Sequence, residues 1–248
     1  MMNWLQRSEA LIGAENIEQF QNKHVLVAGL GGIGSFAAEY IARAGIGTMT
    51  IIDGDVVEAS NRNRQLPALI SSEGQSKAQW MAQRLLDINA DLKLHVHETY
   101  IVEEKISEIL DVAQYDYVID AIDTISPKVS LIKNCLKRKI PIVSAMGAGG
   151  KLDPEKVKVA NIYDTFNCTL AQQVRKTLRK WKIKGNFKTV FSEELPDKTK
   201  VQHVEGARHK KSYLGTISYM PSLFGCFCAS VVIRDLMKKQ RNTKNRNN

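Results

Sequence analysis

HVLVAGLGGIGSF at positions 24–36 decides the fold. Positions 24–30 form a short apolar run rich in Val, the composition of a strand buried on both faces. Gly29-Leu30-Gly31-Gly32-Ile33-Gly34 fits G-x-G-x-x-G and sits between that strand and a helical stretch over 33–44. Gly45 and Gly47 end the helix, and 48–53 (TMTIID) reads as a second strand closing on Asp53. In this context the glycines permit a tight turn and let backbone approach a phosphate. The helix N-terminus then offers free N–H groups and a partial positive charge. Asp53, about 20 residues past the turn, is placed to accept hydrogen bonds from a ribose. The pattern predicts a nucleotide site without saying which nucleotide, because dinucleotide-dependent dehydrogenases share the same glycines and acid.

Outward from this unit the alternation continues. A long amphipathic helix is expected over 75–89, strands over 93–99 and 117–122, a helix over 127–139 and a strand over 140–146. The repeat predicts an α/β, Rossmann-like, doubly wound and mostly parallel sheet with helices on both faces. Residues 1–23 read as a helical segment with Leu11, Ile12, Ile17 and Phe20 as its apolar contacts. The nucleotide-binding domain is expected over 24–150. After Gly150 the pattern changes, and a C-terminal extension over 151–237 is expected: a strand at 156–163, a helix at 169–182, a polar mobile stretch at 196–213, then 216–219 and an apolar helix over 223–237. The tail 238–248 lacks apolar residues and is expected to be disordered.

Composition sets the outer limits. The chain has 248 residues, 44% hydrophobic and 25% charged, which suits one sizeable core. Cys135, Cys168, Cys226 and Cys228 form no CxxC pair, so a four-cysteine zinc site is excluded and a reducing, cytoplasmic setting fits. MMNWLQRSEA has no signal-peptide core, and the apolar run 219–233 is shorter than the roughly 20 residues of a membrane span. A buried helix is the expected reading, with no stable membrane insertion.

The residues that narrow the nucleotide lie further along. Ser60-Asn61-Arg62-Asn63-Arg64-Gln65 is too polar for core, Lys77 begins a helix, and Asp123 and Thr124 follow a strand. Ligands collect at such positions on an open α/β sheet. Two cations, Arg64 and Lys77, with the carboxylate of Asp123 suit a triphosphate and Mg2+: the cations offset phosphate charge and the carboxylate holds the metal. Taken singly each has a plainer reading, as a surface arginine, a helix-face lysine and a helix cap.

Five motifs in order carry a family likeness: GLGGIGS at 29–35, Asp53-Gly54-Asp55, SNRNRQ at 60–65, GQSK at 74–77 and DAIDT at 120–124. Together they resemble the ubiquitin-activating-enzyme superfamily, over roughly residues 5 to 236. SAMGAGGKLDP at 144–154, GTISYMPS at 215–222 and IRDL at 233–236 are similar to segments of its tRNA threonylcarbamoyladenosine dehydratases. The sulfur-carrier adenylyltransferases typically have two CxxC pairs, absent here. The likeness implies ATP bound by Gly29, Gly31, Gly32, Gly34, Asp53 and Asp55, with Asn61, Arg64 and Lys77 on the phosphates. It implies Asp123, beside Thr124, at Mg2+. It also implies a homodimer in which Arg7 reaches the neighbouring subunit's ATP, and a possible sulfur-relay protein partner. The implied activity is ATP-dependent cyclisation of threonylcarbamoyl adenosine beside the anticodon, through carboxylate adenylation and intramolecular ring closure. The alternatives are adenylation of a Gly-Gly sulfur-carrier protein and a non-catalytic nucleotide-dependent partner in sulfur transfer.

Charge gives separate support for a tRNA partner. Of the net +9, a balance of +8 lies between Ala171 and Lys211, with 12 Lys or Arg against 4 Asp or Glu. Arg175, Lys176, Arg179, Lys180, Lys182 and Lys184 fall within ten residues around Trp181, a set that neutralises phosphates beside a ring able to stack on a loop base. The plainer reading is a solvated helix face with Leu178 and Trp181 packed inward. Cys168, at a helix start, favours a thiolate but is read as structural.

Overall fold

The structure, a computed structural model, describes residues 4–197, 201–203 and 212–244, with no side-chain description for 201–203, 212–213 and 238–244. Its centre is a seven-stranded sheet in the order β3-β2-β1-β4-β5-β7-β6. The strands are β1 (His24–Ala28), β2 (Thr48–Ile52), β3 (Lys93–His97), β4 (Tyr117–Asp120), β5 (Ile142–Ala145), β6 (Val157–Asn161) and β7 (Lys188–Ser192). All neighbours run parallel except β6, which pairs antiparallel to β7 at the sheet edge. The expected doubly wound α/β architecture is therefore present. β1 and β4 have essentially unbroken burial, as strands covered on both faces must.

Helices cover both faces. On one lie α3 (Gly34–Arg43), α4 (Lys77–Ile88) and α8 (Tyr219–Lys244), sharing a core with Phe20. On the other lie α5 (Ile106–Asp111), α6 (Ile125–Arg138) and α7 (Thr169–Lys180). The sequence order reverses between β1 and β4, where Ala28 pairs with both Ile52 and Asp120. Such a switch point leaves a crevice at the carboxyl ends of the strands.

Glycines set the closest approaches. A Cβ on Gly34 would lie 1.8 Å from the Gly29 carbonyl oxygen, and one on Gly225 would lie 2.5 Å from the Ile33 carbonyl oxygen. The first contact brings α3 onto the end of β1; the second seats α8 on the start of α3. The apolar stretch Tyr219–Met237 is long and apolar enough to cross a membrane. Half of it is buried, with Phe224, Cys228, Val232 and Leu236 packed into the core.

Several elements differ from expectation. The N-terminal segment is two helices, α1 (Gln6–Ile12) and α2 (Ala14–Gln21), turned at Gly13 with φ +84°. Ile17 and Phe20 are buried as expected, but Leu11 is exposed. α5 and β7 were not anticipated, both being short and set in polar surroundings. Part of the polar stretch 196–213 pairs as β8 (Val201–His203) with β9 (Ser212–Leu214), and the remaining 198–200 and 204–211 lie outside the described residues. α8 runs on through 238–244, where a disordered tail was expected: Lys, Gln and Arg are good helix formers and no Gly or Pro stops it. Residues 245–248 lie outside the description.

Gly34→Ala is expected to cost about 3 kcal/mol or more, since backbone rather than a flexible side chain blocks the added methyl. Urea denaturation followed by circular dichroism measures it, and wild-type stability in the variant would contradict the packing described.

Candidate active site

One cavity of about 970 Å³ opens at the switch point. Its first wall is the glycine turn at Gly31 and Gly32 with Asn61, Arg64 and Gln65, and the turn after β4 supplies Ile122 and Asp123. Its second wall comes from the end of β5 through Gly149, from Lys151, from Asn167 to Leu170 at the start of α7, and from Leu214 to Thr216. Gly32 has to be glycine, because a Cβ there would come within 2.9 Å of Pro221 and 3.1 Å of the Arg64 carbonyl oxygen.

Asp53 does not line this cavity. It lies beneath the glycine turn, where Leu30 N–H donates to it at 2.6 Å and Asp55 N–H at 2.8 Å. Burial pushes its carboxyl above the usual range, opposed by those two hydrogen bonds and by Lys77. Each carboxylate oxygen keeps a further lone pair. Lys77, 4% exposed, donates to Asp55 at 3.0 Å. Asp53, Asp55 and Lys77 thus form a charged group beside the turn, outside the cavity lining.

Arg64 is half-buried at the cavity wall, its Nη1 donating to Ser60 O at 3.0 Å and Asn63 Oδ1 at 2.8 Å. Asn61 is buried, and its Oδ1 accepts from Glu58 N–H at 3.3 Å. Asp123 is exposed at the mouth, and Thr124, the N-cap residue of α6, donates to it at 3.3 Å. Among the described residues no cluster of three or more His, Cys, Asp or Glu could hold a metal. One carboxylate with substrate phosphates is nonetheless the usual protein share of a magnesium site, so Asp123 fits that group. Gly29 and Gly34 shape the turn from behind, and Gly29 takes φ +90°.

Sequence reasoning missed what holds the Asp123 turn. Lys128 is fully buried, and its Nζ donates to Asp120 Oδ2 at 2.9 Å and to Ile122 O at 2.8 Å. Asp120 also accepts from Ser144 Oγ at 2.5 Å and Ile122 N–H at 3.1 Å. A buried pair persists only when its remaining polar positions are satisfied, and here the extra partners are the Ile122 backbone in the turn and Ser144 on β5. The available signal was an acid ending a buried strand eight positions before a lysine in the next helix. Lys151 and Cys168, both lining the cavity, were also not placed there from sequence.

Two sets of expected residues lie elsewhere. Arg7 is exposed on α1, outside the cavity lining. On and after α7, Lys176, Arg179, Lys180, Lys182 and Lys184 are exposed, whereas Arg175 turns inward, donating to Thr165 Oγ1 and to Ile162 O. Leu178 is buried, and Trp181 packs on the core with Lys133 Nζ 5.6 Å from its ring centroid. That is the plainer of the two readings of the tryptophan.

The model of the ThiF family matches residues 5–248. The chain belongs to the ThiF family. It is 40% identical over 245 residues to a tRNA threonylcarbamoyladenosine dehydratase of Bacillus subtilis, covering 96% of each chain. Its structure superposes on a crystal structure of the Escherichia coli tRNA N6-threonylcarbamoyladenosine dehydratase with TM-score 0.87, 32% identity and 96% coverage of both chains. For the same E. coli protein in complex with ATP, the TM-score is 0.88 and the coverage 98% of both. In this ThiF-family chain, the cavity at the switch point coincides with the place where the glycine turn and Arg64 face open space.

Lys128→Met is expected to destabilise the fold by about 3–5 kcal/mol, because it strands the buried Asp120 carboxylate. Chemical denaturation checks this, and a loss under about 1 kcal/mol would mean the pair is not the tie described.

Proposed function

We propose that this chain is an ATP-dependent dehydratase that cyclises threonylcarbamoyl adenosine in tRNA. The observation that carries the reading is the joining of two walls in one cavity: a glycine turn with Arg64 and Asp123, and a second wall left for an acceptor. The kinship with dehydratases over nearly the whole chain supports the same substrate.

In this reading the substrate carboxylate attacks the α-phosphorus of ATP and pyrophosphate leaves. A nitrogen of the same threonylcarbamoyl side chain then attacks the activated carbonyl, closing the ring, expelling AMP and losing its proton. The net change in the nucleoside is the loss of one water. Arg64 and Asn61 orient the phosphates, and Arg64 offsets the repulsion between carboxylate and polyphosphate. Gly31 and Gly32 let backbone N–H groups approach the nucleotide, with Asp53 and Asp55 on its ribose side and Lys77 beside them. Asp123 would hold Mg2+, which would supply further neutralisation of phosphate charge. Ring closure is intramolecular, so effective molarities of order 10⁵ M or more come from the substrate and no protein nucleophile is needed.

The tRNA is read by the exposed cations Lys176, Arg179, Lys180, Lys182 and Lys184, whose placement beside α7 supports a phosphate-binding face. The exposed Arg7 is available to a second copy in a homodimer. The packing of α8 into the core supports a protein that does not insert stably in a membrane.

Incubation with ATP, Mg2+ and threonylcarbamoylated tRNA, followed by nucleoside mass spectrometry, should reveal a product lighter by one water. No such product would end the proposal. Arg64→Ala should weaken ATP binding by about 10- to 100-fold in calorimetry.

Reversing Arg179, Lys180 and Lys182 to Glu should weaken tRNA binding by about tenfold or more and flatten its salt dependence, with ATP affinity unchanged. Equal tRNA affinity in the variant would remove this face from the interface.

A further inference from the structure

The cavity has more charge on its second wall than the nucleotide reading uses. Its charged liners are Glu58, Arg64, Asp123 and Lys151. The first three belong to the nucleotide side, from the segments after β2 and β4. Lys151 alone among the described charged liners belongs to the wall built by the C-terminal extension.

Lys151 is held unusually still for a lysine. It is only 2% exposed, and its Nζ donates to Asn167 O at 3.1 Å and to Glu194 O. These two carbonyls belong to the loop before α7 and the segment after β7. Glu194 also ties the backbone on the far side of the lysine, its carboxylate accepting from Leu152 and Asp153 N–H at 2.8 Å each. An ammonium has three N–H donors, and two are committed to carbonyls, while the nearby Glu194 carboxylate offsets part of its charge without being one of its hydrogen-bond acceptors. Burial pushes the Lys151 ammonium below its ordinary value, with Glu194 and Cys168 opposing. A lysine clamped in this way at a cavity wall has one N–H donor left for a ligand, and it loses little side-chain entropy on binding because it is already fixed.

We infer that Lys151 is the residue that receives the carboxylate of the acceptor, holding the threonylcarbamoyl side chain on the second wall so that its free oxygen faces the α-phosphate. The inference rests on the dehydratase reading and adds to it a specificity element for the acyl substrate. Arg64 and Lys151 then divide the work: one cation serves the polyphosphate and the other the incoming acid, which keeps the two anions from competing for one site. The contact is strongest before adenylation, while the carboxylate is charged, and it weakens once the acyl group is esterified to AMP. Lys151 therefore acts on acceptor binding and on the first step more than on ring closure.

The test compares two anticodon stem-loop RNAs, one with threonylcarbamoyl adenosine and one whose carboxylate is replaced by a primary amide. Binding is measured by fluorescence anisotropy without ATP. The wild-type protein should prefer the carboxylate RNA by about tenfold or more, the factor expected of a hydrogen bond to a charged group. Lys151→Gln keeps N–H donors for the two carbonyls but removes the charge. It should bind both RNAs alike and raise KM for the carboxylate RNA by a similar factor, with ATP affinity and melting temperature near wild type. Lys151→Arg should retain part of the preference. A merely structural lysine would affect both RNAs equally, so a retained carboxylate preference in Lys151→Gln overturns the inference. If that variant does not fold, the wild type still decides: no preference between the two RNAs also overturns it. Failure of the wild type to cyclise the carboxylate RNA with ATP is a different result, and sinks the dehydratase reading instead.

Discussion

The approach of α3 to the end of β1 is the constraint on which the rest of the molecule depends. No side chain fits between Gly34 and the Gly29 carbonyl oxygen, and none fits between Gly225 and the Ile33 carbonyl oxygen. Backbone therefore packs on backbone at two successive levels, strand end to helix and helix to helix. The first contact aims the N-terminus of α3, with its partial positive charge, at the crevice. The second brings Pro221, near the start of α8, against Gly32 at the cavity wall. A nucleotide site made of backbone needs such rigidity, because a turn that breathes presents its N–H groups to water as readily as to phosphate.

Around this turn, charged side chains act mainly as struts. Asp53 accepts from Leu30 and Asp55 and so ties the end of β2 to the glycine turn. Asp120 and Lys128 do the same for the turn after β4, Asp120 accepting from the Ile122 N–H and Lys128 donating to the Ile122 carbonyl oxygen. Burying these groups costs solvation, and the cost is offset by the hydrogen bonds and ion pairs they make to the frame. The residues left facing the cavity, Arg64 and Asp123, are correspondingly more open. On this first wall Arg64 and Asp123 keep part of their solvent while the groups that hold the frame give it up; Lys151 on the second wall is buried although it lines the cavity.

The second wall depends on a strand that the sequence hides. β7 inserts between β5 and β6, so β6 is carried to the sheet edge although it comes first in the chain. This insertion places the segment after β7 beside Lys151 and the start of α7. The C-terminal extension is thus continuous with the central sheet through its hydrogen bonds, while the segment after β9 closes on the same cavity through Leu214 to Thr216.

The sequence by itself determined the sheet class, the glycine turn and the nucleotide chemistry, because these rest on local rules. A Val-rich run, a glycine spacing and an acid at a strand end each carry their meaning within a few residues. It also marked Arg64, Lys77 and Asp123 as a group, though each has a plainer reading taken singly, and of the three Arg64 and Asp123 line the cavity. Only the tertiary structure decided which charges face the cavity. Lys77, Lys128 and Lys151 are each a lone lysine in sequence, yet the first pairs with Asp55, the second is buried against Asp120 and the third lines the second cavity wall. The same holds for Arg175, which turns inward from a run of otherwise exposed cations. Their partners come from distant segments, and a long side chain's destination is set by the carbonyls and carboxylates that folding brings within reach.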